Sequence, residues 1–383
     1  MKRICFIADA ASPHTKKWIE QCRELHYELF IISHRYAEIP GVTVIQHPLS
    51  LVGFPRYAVA VRRLIRALKP DLIHAHQFGA HGLYALFANC APVIISAWGS
   101  DILVNAKRSR CLRALIRWEI KKAALVTGVN WYLCENLIYL GAPKDKVLTV
   151  PIGIDQALYD RLSHWNKDES SFIICSPRLH EPLYHQREII ESFAALAADY
   201  PQIKLWILGE GSLTPALQEY VRERHLEERV RFWGMVTPEQ VGECLAKSQV
   251  IVSIPSSDAL PVSVLTGMAA GCLPVLSNLP TFRGLVTHGV NGLMIDVDDF
   301  QSLPDVLRRA IEDKQLRTEA AAQNRNIVAK QAIMEKQFPV MLNRYRSLTK
   351  TLTVLVLMIS TVFSQEILAQ MIDWMSDVIP FFS

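Results

Sequence analysis

Asp258 and Arg178 are the two side chains on which chemistry could turn. Asp258 closes a polar turn, Pro255-Ser256-Ser257-Asp258, between an apolar run at Val250–Ile254 and a helix expected from Pro261 to Ala270. The run has the length of a buried strand. A Pro in the first helical turn and Gly271 just past the last are physically sensible start and stop signals. A strand feeding a helix in this way forms the ligand edge of a parallel α/β sheet. The helix start, Leu260–Ser263, offers N–H groups and a positive dipole end, which suit an anion such as a diphosphate. Arg178 follows a second apolar run, Phe172–Ser176, and could neutralise the same anion. Each residue also has a plainer reading: an ion pair for Arg178, and a helix N-cap or Asx-turn for Asp258. His180 and His185 lie close to Arg178 and read as ordinary turn histidines. They would help hold an anion only when protonated, which is partial at neutral pH for a group with an unperturbed pKa near 6.5.

The first half of the chain carries a second group of polar residues. In Lys69-Pro70-Asp71-Leu72-Ile73-His74-Ala75-His76, the two histidines share one side of an expected strand, because side chains alternate. With His81 nearby a metal is conceivable, but no carboxylate or cysteine accompanies the three, and no metal is expected. Trp98-Gly99-Ser100-Asp101 follows a strand expected at Pro92–Ser96, so Asp101 faces a ligand or caps the next helix. Arg108–Lys122 places Arg110, Arg113, Arg117 and Lys121 opposite Leu112, Leu115, Ile116 and Ile120. Such a basic amphipathic helix suits an anionic membrane surface, and equally a solvated helix face.

The elements that would position these residues are legible as alternation. The chain has 383 residues, half of them hydrophobic and a fifth charged, which favours two domains with large cores. Apolar runs and helical periodicity alternate from the strand at 4–8 through Val150, with helices near Thr15–Leu25 and Arg56–Leu68. A turn at Pro151–Asp155 and a polar segment at Ser163–Ser171 read as a linker. The alternation then restarts, with strands at Phe172–Ser176, Lys204–Leu208, Val230–Phe232, Val250–Ser253 and Leu273–Leu276. The expectation is an α/β protein of two Rossmann-like domains facing a central cleft, residues 1–155 and 168–330. Residues 299–347 read as helical and largely surface-exposed. The apolar run at the N-terminus is too short for a signal peptide and is ended by Asp9. The eight cysteines are scattered without metal or redox spacing and read as reduced core residues. A net charge of +4 is too small to point to nucleic acid. The tail, 351–383, begins with an apolar run shorter than a membrane span, and extending it brings in Gln365, Glu366 and Gln370. It reads as an interfacial or packed amphipathic segment.

Asp258–Gly271 resembles the donor-binding signature of family 4 retaining glycosyltransferases, which have the GT-B fold. That signature places two acidic residues around seven others, the second opening a Glu-Ala-Met-Ala-x-Gly run. Here Asp258 falls on the first position and Thr266 on the second, followed by Gly267-Met268-Ala269-Ala270-Gly271. Arg178 matches the family's diphosphate Arg, whereas Leu183 or Tyr184 stands at the place of its Lys. Trp98-Gly99-Ser100-Asp101 matches a variant seen in part of the family, and the strand ending at His76 is similar to its His-x-His strand. Asp9-Ala10-Ala11-Ser12-Pro13-His14 replaces the usual glycine-rich first loop.

The resemblance implies a metal-independent retaining transferase that moves a sugar from a nucleotide-diphosphate sugar to a polysaccharide, lipid-linked or other glycan acceptor. It needs no cofactor beyond that donor substrate and has a cytoplasmic setting with peripheral membrane contact. Arg178, Pro261, Val262 and Ser263 would hold the diphosphate, Asp258 would orient the sugar and Thr266 would meet the ribose. The backbone at Met235 and Val236, after Phe232-Trp233-Gly234, would border the base. His76 and Asp101 would line the acceptor side, and residues 331–350 would cross back to the first domain. Two alternatives stand beside this: a degenerate, non-catalytic binding protein of the same fold, motivated by Thr266, the missing Lys and the lost glycine loop, and an epimerase acting on the nucleotide sugar itself.

Overall fold

The computed structural model describes residues 1–165, 167 and 171–349. The tail expected at 351–383 and part of the linker segment lie outside the described residues. Two parallel sheets are present. The first has seven strands, β1 Arg3–Ile7, β2 Glu28–Ser33, β3 Thr43–Gln46, β4 Leu72–His76, β5 Val93–Ala97, β6 Leu125–Gly128 and β7 Val147–Thr149, in the order β3-β2-β1-β4-β5-β6-β7. The second has six: β8 Phe172–Pro177, β9 Ile203–Leu208, β10 Val230–Phe232, β11 Val250–Ser253, β12 Leu273–Ser277 and β13 Leu293–Ile295, in the order β10-β9-β8-β11-β12-β13. Ile4 pairs with Leu72 between β1 and β4, and Val250 pairs with Ile174 between β11 and β8.

The strands are parallel because helices connect them, and both sheet faces are then covered. Strands such as β4, β5, β11 and β12 are buried at every position and are accordingly rich in apolar residues. In each sheet the order of connection reverses beside the first strand, between β1 and β4 and between β8 and β11. Chains leaving two such neighbouring strands diverge to opposite sides and open a crevice at their carboxyl ends. His76 ends β4, Arg178 follows β8, and Asp258 lies in the loop after β11.

The last part of the chain departs from the expectation of a surface layer. Leu303, Leu307 and Ala310 are buried in the second core. Ile154 and Ile333 form a parallel bridge, with Ile154 N donating to Ala332 O at 3.0 Å and Met334 N to Ile154 O at 2.9 Å. Beyond it Phe338, Met341, Leu342 and Tyr345 pack into the first core. Gly153 is required at this bridge: a Cβ there would lie 1.9 Å from the Ala332 carbonyl oxygen.

Candidate active site

The loop after β8 is held from below before it presents anything to the cleft. Ser176 Oγ donates to Gln186 Oε1 at 2.9 Å, and Gln186 Nε2 donates to the Arg178 carbonyl at 3.1 Å. The turn at Gly209 and Gly211 packs against the same loop. A Cβ on Gly211 would approach the His180 carbonyl oxygen to 2.5 Å, which is why that turn has no side chain there. The Arg178 guanidinium lies 4.3 Å over the Tyr184 ring and donates through Nη2 to Asp258 Oδ2 at 2.6 Å. Only 10% and 15% of the two side chains is exposed. The two leading candidates are therefore one ion pair at the sheet's switch point, with an aromatic face where the family places a Lys.

The neighbouring candidates divide. Asp258 does not cap the helix: Oδ1 accepts from Ala259 N at 2.8 Å, and the helix runs Val262–Ala269 with Pro261 itself at the N-cap and no side-chain cap. This corrects the expected start by one residue and leaves the Val262 and Ser263 amides in the first turn. Thr266 is buried, and its hydroxyl donates to the Val262 carbonyl at 2.8 Å, so it is turned into its own helix. His180 is a buried residue, not a plain loop histidine; Nδ1 is 2.8 Å from Thr214 Oγ1, and burial lowers its pKa. It therefore supplies no replacement charge. His185 Nε2 lies 2.5 Å from Ser256 Oγ and Nδ1 lies 3.3 Å from Glu188 Oε1, so it ties the two loops together. Met235 is 66% exposed on the turn after β10, and Val236 is partly buried beside the second domain's inner cluster.

Across the cleft the polar residues are buried. His76 is 1% exposed, with Nδ1 3.3 Å from Thr15 Oγ1 and Nε2 without a hydrogen-bond partner. Its ring packs 4.7 Å from Trp98, whose Nε1 is also buried and unpartnered. Burial, then His74, His81 and His14, push its pKa well below the usual range. His74 bonds Tyr345 Oη at 2.6 Å through Nδ1 and Ser96 Oγ at 2.7 Å through Nε2, and burial brings its pKa down to about 3. Among the described residues no group of three or more His, Cys, Asp or Glu is placed to hold a metal ion.

Asp101, expected to face acceptor or sugar, is 3% exposed and spends both oxygens on the backbone. Oδ1 accepts from Trp98 N at 3.2 Å and Gly99 N at 2.9 Å, and Oδ2 accepts from Phe78 N at 3.1 Å. Burial raises its pKa against those hydrogen bonds. These hydrogen bonds join the loops after β4 and β5. Glu119, which the sequence reading passed over, does the same from the Arg110–Lys122 helix: Oε2 accepts from Gly79 N at 2.9 Å, and Oε1 is buried without a partner. Burial, with Asp101 adding to it, raises its pKa to about 8. Its position between Ile116 and Ile120 on the helix's apolar side was the signal that could have found it.

The two halves touch beside the ion pair. Gly99 has φ +135°, and a Cβ there would meet the Ala259 Cβ at 2.8 Å. Asn130, the N-cap of the Trp131–Tyr139 helix, donates Nδ2 to Ala259 O at 2.9 Å and to Thr281 Oγ1 at 2.6 Å. The WGSD loop is thus set against the residue that follows Asp258.

This arrangement has relatives. Residues 3–130 match the family model for glycosyl transferase 4-like proteins, and residues 161–327 match that for glycosyl transferases group 1. The N-acetyl-alpha-D-glucosaminyl L-malate synthase of Bacillus anthracis is 23% identical over 340 residues, which covers 84% of this chain and 88% of that one. The GDP-mannose:cellobiosyl-diphosphopolyprenol alpha-mannosyltransferase of Xanthomonas campestris is 30% identical over 263 residues, 66% of this chain and 68% of that one. Among solved structures, Anabaena HepE in complex with UDP and glucose superposes with a TM-score of 0.71 at 17% identity, covering 92% of this chain and all of that one. The sucrose-phosphate synthase of Thermosynechococcus elongatus gives a TM-score of 0.75 at 15% identity, with the same coverage. The chain belongs to the group 1, family 4-like glycosyltransferases and has their GT-B fold.

Proposed function

We propose that this glycosyltransferase is a retaining enzyme that moves a sugar from a nucleotide-diphosphate sugar to a hydroxyl of a glycan or lipid-linked acceptor, with neither metal nor cofactor. The observation that carries the reading is the Arg178–Asp258 pair at the mouth of β8 and β11, beside the uncapped start of the Val262–Ala269 helix. A departing diphosphate gains negative charge, and fixed N–H donors aimed at it lower the barrier. Arg178 and the first-turn amides at Val262 and Ser263 supply these donors. When the diphosphate takes Arg178, Asp258 is released to accept hydrogen bonds from the sugar hydroxyls. The acceptor hydroxyl attacks on the face the diphosphate leaves, and a diphosphate oxygen takes its proton, so no protein base is required. Met235 and Val236 border the base. In this reading residues 1–155 receive the acceptor, with His76 and Trp98 on that wall, residues 168–330 hold the donor, and 331–350 return to the first domain.

The reading places the enzyme on the cytoplasmic side, in peripheral contact with a membrane. Arg110, Arg113, Arg117 and Lys121 are exposed along one helix whose acid, Glu119, is buried. Among the described residues no helix is long and apolar enough to cross a membrane. The relatives' names support the acceptor class: one acts on a diphosphopolyprenol-linked sugar.

A second reading, a binding protein that has lost turnover, is favoured by the inward-turned Thr266 hydroxyl. Calorimetric titration with uridine and guanosine diphosphate sugars separates the two, followed by turnover with acceptors. One sugar nucleotide should bind and lose affinity in Arg178→Ala. Binding without turnover would favour the second reading, release of an isomerised nucleotide sugar without acceptor would favour an epimerase, and no binding to a folded protein would overturn the donor site.

A further inference from the structure

The second sheet is not closed at its β9–β10 edge as it is at its centre. In β9, Ile203, Leu205 and Ile207 are buried in the core, while Lys204 is exposed and Trp206 half-buried. In β10, Val230 is buried and Arg231 exposed. A parallel strand covered on both faces is apolar nearly throughout, so this alternation marks a face open to solvent. The Pro238–Lys247 helix, which connects β10 to β11, packs on β8 and leaves that face uncovered at the edge. Register gathers the side chains: Arg231 pairs with Trp206, and Trp206 with Cys175 of β8. A cavity of about 620 Å³ opens there, with Lys204, Trp206, Glu228, Arg231, Trp233 and Lys247 in its lining. Lys204 stands at the amino end of its strand, whereas Arg178 and Asp258 follow the carboxyl ends of theirs, so this cavity is distinct from the cleft.

The Arg231 guanidinium lies 3.8 Å from the centre of the Trp233 ring, which fixes its plane and leaves its N–H edge for an oxyanion. Trp206 stands 5.0 Å from Trp233, ring to ring, at 64°. Among the described residues Lys204, Arg231 and Lys247 make no ion pair, and Glu228 is the one acid of the lining. Neighbouring Arg229 is different: its guanidinium is spent on the carbonyls of Ala197, Tyr200 and Ile203. Three unpaired cations against one acid select an anion, and two indoles select a ligand with an apolar face. A sugar ring bearing a carboxylate or phosphate has both. Its C–H face lies on an aromatic ring while its acid meets Arg231. The charges gather in one cavity of small-ligand size and do not form the stripe that a nucleic-acid backbone follows. We propose that this cavity is a second saccharide site of the glycosyltransferase, binding an acidic oligosaccharide through Arg231, Trp206, Lys204 and Lys247. Such a site keeps an acidic glycan on the enzyme while the cleft works. It stands independently of the donor-site reading above.

The test is calorimetric titration of the full-length protein with tetragalacturonate, maltotetraose phosphate and neutral maltotetraose. One or both acidic sugars should bind the wild type, and more tightly than the neutral one; the preferred sugar names the acid group. Arg231→Gln, and the double variant Lys204→Gln with Lys247→Gln, alter exposed side chains and should keep the wild-type melting temperature. Each should weaken the acidic sugar roughly tenfold, the scale of a lost charge-assisted contact. Trp206→Leu should weaken the acidic and neutral sugars alike. Arg178→Ala should bind the acidic sugar undiminished, and Arg231→Gln should bind nucleotide sugar as the wild type does. Binding of neither acidic sugar, or equal affinity for all three, would overturn the site. So would binding kept in Arg231→Gln and lost in Arg178→Ala, or a single-stranded oligonucleotide that binds more tightly than either acidic sugar. Failure of the donor reading shows separately, as a wild type that binds the acidic sugar and no nucleotide sugar.

Discussion

The two walls of the cleft satisfy their polar groups differently. On the second domain the charged residues answer each other: Arg178 with Asp258 and the Tyr184 face, and His185 with Ser256. Buried atoms without a partner occur on both: His76 Nε2, Trp98 Nε1 and Glu119 Oε1 on the first domain, and His180 Nε2, Trp233 Nε1 and Ser253 Oγ on the second. A buried ion pair that loses one partner leaves an expensive charge, so Arg178 and Asp258 are poised for a ligand that can engage both at once. What sets the second domain apart is therefore its charged pair, not a fuller satisfaction of its buried polar atoms. On the proposed reading, the second domain would meet its ligand by an exchange of partners within the Arg178–Asp258 pair.

That contrast is most exposed to Arg178→Ala. Losing the guanidinium should cut turnover about a hundredfold or more, the scale for removing a fixed donor from developing charge. Asp258→Asn, which keeps the shape and drops the charge, should weaken orientation of the sugar with a smaller loss of nucleotide affinity. Steady-state rates and calorimetry with the donor check both. Equal losses of nucleotide affinity in the two variants would mean that the pair acts as one structural unit. On the opposite wall, Asp101→Ala should act on the fold: three backbone N–H groups lose their acceptor, at a cost of about 1–3 kcal/mol for each group left unsatisfied, read as a lower melting temperature.

Glu119 gives the first domain a pH signature. Its folded pKa stands near 8 against an ordinary 4.5. An acid whose pKa is raised on folding holds its proton more tightly when folded. Its contribution to stability is therefore full below about pH 4.5, declines as pH rises toward 8, and is flat above. Asp101, also raised, acts with the same sign. Denaturant melts from pH 5 to 8 should show the stability of the wild type falling relative to Glu119→Gln as pH rises, the buried histidines, which act with the opposite sign, being common to both. Parallel curves would mean that Glu119 is already ionised in the folded protein.

The sheets were legible because parallel strands buried on both faces are written as nearly continuous apolar runs; Val250–Ser253 falls where the run does. Helix starts moved with local chemistry. Ser109 accepts from Cys111 N and Leu112 N and so begins the basic helix at Arg110 instead of Arg108. Arg178 and Asp258 were legible one at a time, from their positions at strand ends. Their pairing was not, because it joins residues 80 apart that only the β8–β11 register brings together. Asp101 carried the same local cues whether it faced the cleft or the backbone, and its burial was decided by Phe78 arriving from another loop.

The smallest expected effect falls on Thr266. Its hydroxyl is engaged by the carbonyl one turn back, and the side chain is 3% exposed. Thr266→Ala should therefore leave donor affinity within about threefold, since removing a satisfied side chain to main chain bond disturbs the helix little. The same titration bears on the contrast between the walls. If affinity instead falls tenfold, the hydroxyl leaves the Val262 carbonyl when the nucleotide arrives. The second domain would then recruit a group that its resting state keeps bonded, as it does with Asp258. If affinity is unchanged, the ribose is held by backbone or by other side chains, and the Arg178–Asp258 pair carries recognition of the donor's charge without a second carboxylate.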